Sequence, residues 1–129
     1  MKVKILMPVL FLFLLTFTAV NAQTKTEVNS KQASVLIQKD SKLIVLDVRT
    51  PEEFKEGHIK GAINIDIRQE DAFSKIDKLN RNAKYLVYCR TNHRSGMAVS
   101  HMMQSGFRNV TQMMDGFPGW AANKLAVQK

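Results

Sequence analysis

The chain has 129 residues, 45% hydrophobic and 23% charged, with 19 basic side chains against 11 acidic ones and a net charge of +8. This length allows one domain with a real core, and the composition excludes a disordered chain. The basic residues are scattered, with no block of five, which argues against a nucleic-acid tail and suits small anionic substrates or a negatively charged surface.

The chain opens with "MKVKILMPVLFLFLLTFTAVNAQ". Lys2 and Lys4 precede a stretch without charge from Ile5 to Asn21, and Val20 and Ala22 are small residues at signal-peptidase spacing. The pattern predicts a secretory signal over residues 1–22, cut after Ala22. An uncleaved N-terminal anchor is the alternative, although the apolar run is shorter than the roughly 20 residues of a spanning helix. Cleavage leaves 17 basic and 11 acidic residues, a charge of +6. The expected product is exported, periplasmic or secreted, with no stable membrane insertion.

The next segment, Gln23 to Glu27, is polar and reads as a loose leader before a domain over residues 26–127. Ser30 to Lys39 has helical spacing, with Asn29 or Ser30 as cap and Ala33, Leu36 and Ile37 on one face. "KLIVLDV" (residues 42–48) is a continuous apolar run, the mark of a strand covered on both sides in a parallel sheet. "PEEFKEG" opens with Pro51 and acids and closes on Gly57, which predicts a short helix. "GAINID" is a short strand. Glu70 to Leu79 is amphipathic, with Phe73, Ile76 and Leu79 expected inward. "AKYLVYC" is a second buried strand. Ser95 is positioned to cap a helix running to about Ser105 and ending at Gly106. "NVTQMM" is the last strand, and "GFPGWAANKL" a turn and closing helix. Alternating strands and helices predict an α/β domain, a parallel sheet with helices on both faces, whose ligands bind beyond the carboxyl ends of the strands.

Cys89 is the only cysteine. A single thiol cannot close an internal disulfide, and in an exported protein a free thiol needs a reason. Cys89 ends a central strand, and a helix starts about six residues later. If the loop from Arg90 to Arg94 curls, its amides form an anion nest that favours thiolate, helped by the two arginines. Curling calls for left-handed backbone, which Asn92 tolerates. The opposing reading is an inert cysteine in a solvated turn or in the core. His93 either tunes this site or faces solvent. No second cysteine and no histidine pair at ligand spacing accompany them, so neither a metal nor another cofactor is expected.

Three stretches resemble the rhodanese-type sulfurtransferases: "LDVRTPEEFKEGHIKGAINID" (residues 46–66), "VYCRTNHRSGMA" (87–98) and "GFRNVTQMMDGFPGW" (106–120). They stand in the family's order and cover nearly all of residues 26–125. The resemblance implies a doubly wound, five-stranded parallel sheet. It implies a Cys89 persulfide formed from a small anionic sulfur donor such as thiosulfate and discharged to cyanide or a thiol. Cys89 would be catalytic, and Arg90, Thr91, Asn92, His93, Arg94 and Ser95 would bind substrate. Among these, Arg90 and Arg94 would hold the sulfonate or the persulfide, and Ser95 would add a hydrogen bond. Arg49 is spaced to pair with Glu53, an architectural contact, and His58 to order the turn before the next strand. Trp120 and Phe117 read as core or pocket wall. A monomer without nucleic-acid partners is the default.

Two departures stand out. The loop lacks the glycine many relatives carry, and Asp115-Gly116 replaces a common glycine pair. Related phosphatases of this fold place five residues between cysteine and arginine. Here four separate Cys89 from Arg94, the loop size of sulfur rather than phosphate chemistry. A carrier or redox-sensing module that does not turn over is the rival from another class.

Overall fold

A computed structural model describes residues 2–4 and 22–129. The signal segment expected over residues 1–22 lies almost wholly outside the described residues. Among the described residues, no helix is long and apolar enough to cross a membrane.

Five parallel strands form one sheet in the order β1-β6-β5-β2-β4. They are β1 (Thr24–Val28), β2 (Ile44–Asp47), β4 (Ile63–Asn64), β5 (Lys84–Tyr88) and β6 (Asn109–Met113). The helices between them are α1 (Ser30–Lys39), α2 (Pro51–Glu56), α3 (Ala72–Asp77), α4 (His93–Gln104) and α5 (Gly116–Ala122). A small antiparallel pair, β3 (His58–Ile59) with β7 (Val127–Gln128), lies apart from the main sheet.

The side-chain alternation of β5 divides the core in two. Tyr85, Val87 and Cys89 point to one face and pack with Ala72 and Ile76 of α3 and Ala98, Val99 and Met102 of α4. Leu86 and Tyr88 point to the other, with Ala33 of α1 and Trp120 of α5. The sheet is thus covered on both sides, as the continuous apolar runs of β2 and β5 require. Trp120 belongs to the core, its Nε1 donating to Ala126 O at 3.0 Å.

Several expectations need correction. Residues 24–28 are not a loose leader: they form edge strand β1, paired with β6 in register Thr24 to Asn109 through Val28 to Met113. The segment carries no apolar pattern because backbone hydrogen bonding, not burial, holds an exposed edge. Gln23 secures its start, Nε2 donating to Met103 O at 2.8 Å and Phe107 O at 3.0 Å. Phe73 is not inward but 44% exposed, stacked on His101 at 4.2 Å between ring centroids. Ala72 and Ile76 of the short α3 and Leu79 just beyond its end form the inward i, i+4, i+7 stripe, and Phe73 falls outside it. Ser95 does not cap α4; the helix starts two residues earlier, after Asn92, which places Ser95 inside its first turn. Asn29 caps α1 in a capping box with Gln32, and Gly106 follows α4 with φ +87°, both as expected.

The difference between Ile76 and Phe73 is measurable. Ile76→Ala is expected to lower unfolding free energy by about 2–5 kcal/mol, as for a fully buried aliphatic. Phe73→Ala is expected to cost well under half of that, because the ring leaves no cavity behind. Urea unfolding of the two variants checks the order, and equal losses would contradict the packing of α3.

Candidate active site

Cys89 follows β5 directly, and its side chain is 0% exposed. The sulfur sits over the first turn of α4. The backbone N–H of Ser95 donates to Sγ at 3.3 Å, and Ser95 Oγ lies 3.4 Å from it. With the helix beginning at His93, the Ser95 N–H is one of the donors that has no carbonyl a turn back, so it is free to point at the sulfur. The positive end of a 12-residue helix therefore meets Sγ.

The loop reaches this geometry without the expected curl. Asn92 has φ −141° and ψ −1°, and no residue from Arg90 to Arg94 is left-handed. A single backbone amide, that of Ser95, reaches Sγ among the described residues, in place of a ring of amides. The turn is instead held from outside by α5. Phe117 N–H donates to Cys89 O at 2.9 Å. Gly116, at φ +65°, lies so close that a Cβ there would stand 2.1 Å from Arg90 O. The left-handed residue the site needs is on the neighbouring segment, and glycine is required on both counts. Asp115, in the place of the other family glycine, accepts from Ser30 Oγ at 2.7 Å, and Asn123 Nδ2 donates to the same hydroxyl at 2.8 Å. It ties α1 to the start of α5.

The arginines have separate tasks. Arg94 makes a bidentate ion pair with Glu53, Nη1 to Oε2 at 2.7 Å and Nη2 to Oε1 at 2.9 Å. This contact with Arg94 holds the Glu53 carboxyl down to about 2. Glu53 is also the acid of the capping box of α2, accepting from Thr50 N–H at 2.9 Å. The expected Arg49–Glu53 pair does not form. Arg49 is buried against Asp47, Nη2 to Oδ2 at 2.7 Å, and donates to Gly57 O at 2.7 Å. Its guanidinium carbon lies 4.3 Å from the Phe117 ring centroid. Two residues of separation let Arg49 fold back on Asp47 in the interior, which leaves Glu53 for Arg94. Burial, then the Asp47 charge, pushes the Tyr88 hydroxyl up, and that oxygen accepts from Ile59 N–H at 3.0 Å.

Arg90 is exposed and has no carboxylate partner among the described residues. It lines a cleft of about 390 Å³ with Arg49, Glu53, Glu56 and Phe117. Asn92 and His93 border a wider groove of about 560 Å³ with Phe73 and Met97. Thr91 and His93 are exposed, and the Thr91 hydroxyl only approaches His93 N–H at 3.5 Å. His58 stacks on Phe54 and meets Phe54 O through Nδ1 at 2.8 Å, which fixes the turn after α2.

Sequence reasoning passed over Gln112, a buried residue of β6 whose Nε2 donates to Ser95 Oγ and to Asn92 O, both at 2.9 Å. The available signal was a glutamine inside the otherwise strand-like "NVTQMM". It also missed the Glu53–Arg94 pair, since the partners are 41 positions apart.

The model of the rhodanese-like domain matches residues 29–123. "Thiosulfate sulfurtransferase 16, chloroplastic" of Arabidopsis thaliana is 32% identical over 90 residues, covering 62% of this chain and 75% of that one. YrkF of Bacillus subtilis, named as a candidate sulfur carrier protein, is 29% identical over 100 residues, 78% of this chain and only 53% of its own length. A crystal structure of a rhodanese-related protein from Thermoplasma volcanium superposes with a TM-score of 0.69 at 30% identity, covering 80% of this chain and 97% of that one. With the strand order and the Cys89 loop already in place, these matches settle the class: the chain belongs to the rhodanese-like family.

The Glu53–Arg94 pair predicts a pH signature. A carboxylate held below its ordinary 4.5, here near 2, contributes stability above the higher value and loses it as pH falls through the lower. Glu53→Gln is therefore expected to be less stable than the parent at neutral pH, with the gap shrinking between about 4.5 and about 2. Urea unfolding of both proteins across that range checks it. A gap that stays constant into acid would show that the ion pair is not its source.

Proposed function

We propose that this protein is a sulfurtransferase that moves sulfane sulfur from an anionic donor such as thiosulfate to a thiophilic acceptor through a Cys89 persulfide. The observation that carries the reading is the placement of Ser95 N–H and Oγ at 3.3 and 3.4 Å from Sγ. In the first step, the Cys89 thiolate attacks the outer sulfur of thiosulfate. The sulfur–sulfur bond of the donor breaks, and sulfite leaves with the electron pair. In the second, cyanide or a thiolate attacks the outer sulfur of the persulfide, which returns Cys89 to thiolate. Negative charge stays on sulfur throughout, and the Ser95 donors and the positive end of α4 are fixed before the reaction starts.

Arg90, which has no carboxylate partner among the described residues, would receive the sulfonate end of the donor at the cleft. Arg94, already paired with Glu53, would stiffen the loop and lend its charge from behind. Thr91, Asn92 and His93 would supply the rim. The signal-like segment, read from sequence, supports an exported setting, periplasmic or secreted, and a monomer without nucleic-acid partners is the simplest state.

The complete burial of Cys89 favours a second reading, a persulfide carrier that loads sulfur and releases it only to a partner able to part the Arg90–Asn92 bend.

The test is intact mass and thiocyanate formation for residues 23–129. Thiosulfate is expected to add one sulfur atom, and cyanide to remove it as thiocyanate. Cys89→Ser is expected to lose essentially all turnover with the fold intact. Loading without rapid discharge supports the carrier reading, whereas comparable rates in Cys89→Ser overturn both.

A further inference from the structure

Gln112 is 4% exposed, in β6, and directs its amide into the first turn of α4. Asn92 O already accepts the helical bond from Gly96 N–H at 2.9 Å. Gln112 Nε2 supplies a second N–H to it, also at 2.9 Å. A carbonyl oxygen has two lone pairs, so these two N–H groups satisfy Asn92 O without the Ser95 hydroxyl. The Ser95 hydroxyl lies 3.3 Å from the same oxygen, a third and longer contact. The other Nε2 hydrogen of Gln112 goes to Ser95 Oγ at 2.9 Å. One lone pair of that hydroxyl is thereby occupied, and its hydrogen can leave Asn92 O without stripping that oxygen of its two N–H donors. The remaining neighbour is Cys89 Sγ at 3.4 Å. The amide cannot be reversed, because Oε1 would then face Asn92 O, acceptor against acceptor.

We infer that Gln112 is a positioning residue that turns the Ser95 hydroxyl into a hydrogen-bond donor toward ionised Cys89. The inference rests on the reading of Cys89 as the sulfur nucleophile. When Cys89 carries its proton, S–H donates to the open lone pair of Ser95 Oγ, and the hydroxyl hydrogen returns to Asn92 O. When the proton leaves, the hydroxyl rotates to Sγ, and Asn92 O stays satisfied by Gly96 and Gln112. Both protonation states keep every buried donor matched, so the change of charge on sulfur leaves no orphaned polar group. Without Gln112, rotation of the hydroxyl toward sulfur would take a bond away from Asn92 O.

The test is the ultraviolet thiolate titration of Cys89, taken as the difference from Cys89→Ser. The charged groups around the site are Arg90, His93 and Arg94 on the loop and α4, Asp47 and Arg49 at the end of β2, Glu53 on α2 and Asp115 before α5. None is altered in the variants. Gln112→Met keeps length and apolar volume but removes both N–H donors. Its midpoint is expected about one pH unit above the parent's, about tenfold less thiolate at a given pH, the scale of one hydrogen bond to a charged group. Ser95→Ala is expected to move it by a similar amount, and the double variant no further, since the two act through one hydroxyl. An unchanged midpoint in folded Gln112→Met, or full additivity with Ser95→Ala, overturns the inference; a purely structural glutamine would lower thermal stability and leave the titration in place. If Gln112→Met does not fold, the intact protein answers. The Gln112 side-chain amide resonances are expected to shift with Cys89 ionisation and to stay still in Cys89→Ser, and no shift overturns the inference. None of these readouts needs a sulfur donor. Normal titrations with no thiocyanate formed would remove sulfur transfer and keep Gln112 as a thiolate-positioning residue, and the reverse would do the opposite.

Discussion

The meeting of one sulfur atom with the start of one helix governs the rest of this structure. Cys89 Sγ lies against the N–H and hydroxyl of Ser95, in the first turn of α4. That contact exists only because β5 ends one residue before the cysteine and α4 begins four residues after it. In the proposed function these donors set the buried thiol apart from the inert apolar filler that burial alone would make it. The same burial that strengthens those donors by excluding water would, in the proposed function, also keep a substrate away from the sulfur, so that access would depend on the exposed bend from Arg90 to Asn92.

The surrounding charges divide into fixed and free. Arg49 and Asp47 form a buried pair under Phe117, and Arg94 and Glu53 a second, partly buried pair beside the loop. Both arginines are therefore preorganised, each bound to a carboxylate whose own position is set by secondary structure. Glu53 is anchored by the capping box of α2, so the helix signal "TPEEF" and the stiffness of the Cys89 loop depend on one carboxylate. Of the three, only Arg90 has no carboxylate partner among the described residues.

The loop is also clamped by a segment far along the chain. Phe117 N–H holds Cys89 O, and Gly116 lies against Arg90 O where no side chain fits. Asp115, which departs from the family's glycine pair, fastens this segment to Ser30 at the start of α1. The departure thus acts as an added tie between two helices on the face of the sheet opposite Cys89.

Periodicity and punctuation in the sequence determined the buried strands, the cap of α1 at Asn29 or Ser30, the start of α2 at Pro51, the stop at Gly106 and the position of Cys89 at a strand end. These are local properties, set by apolar runs and backbone preferences within a few residues. The three family stretches carried the rhodanese-like fold for the same reason. Edge strand β1 was illegible because a strand held by backbone bonds on one side needs no apolar pattern. The partners of Arg49, Glu53 and Arg94, the burial of the thiol and the approach of Gln112 to Ser95 were decided only in three dimensions. Each joins residues that the parallel crossovers bring together from distant positions, and a choice between two carboxylates for one arginine depends on angstroms that spacing along a chain does not encode.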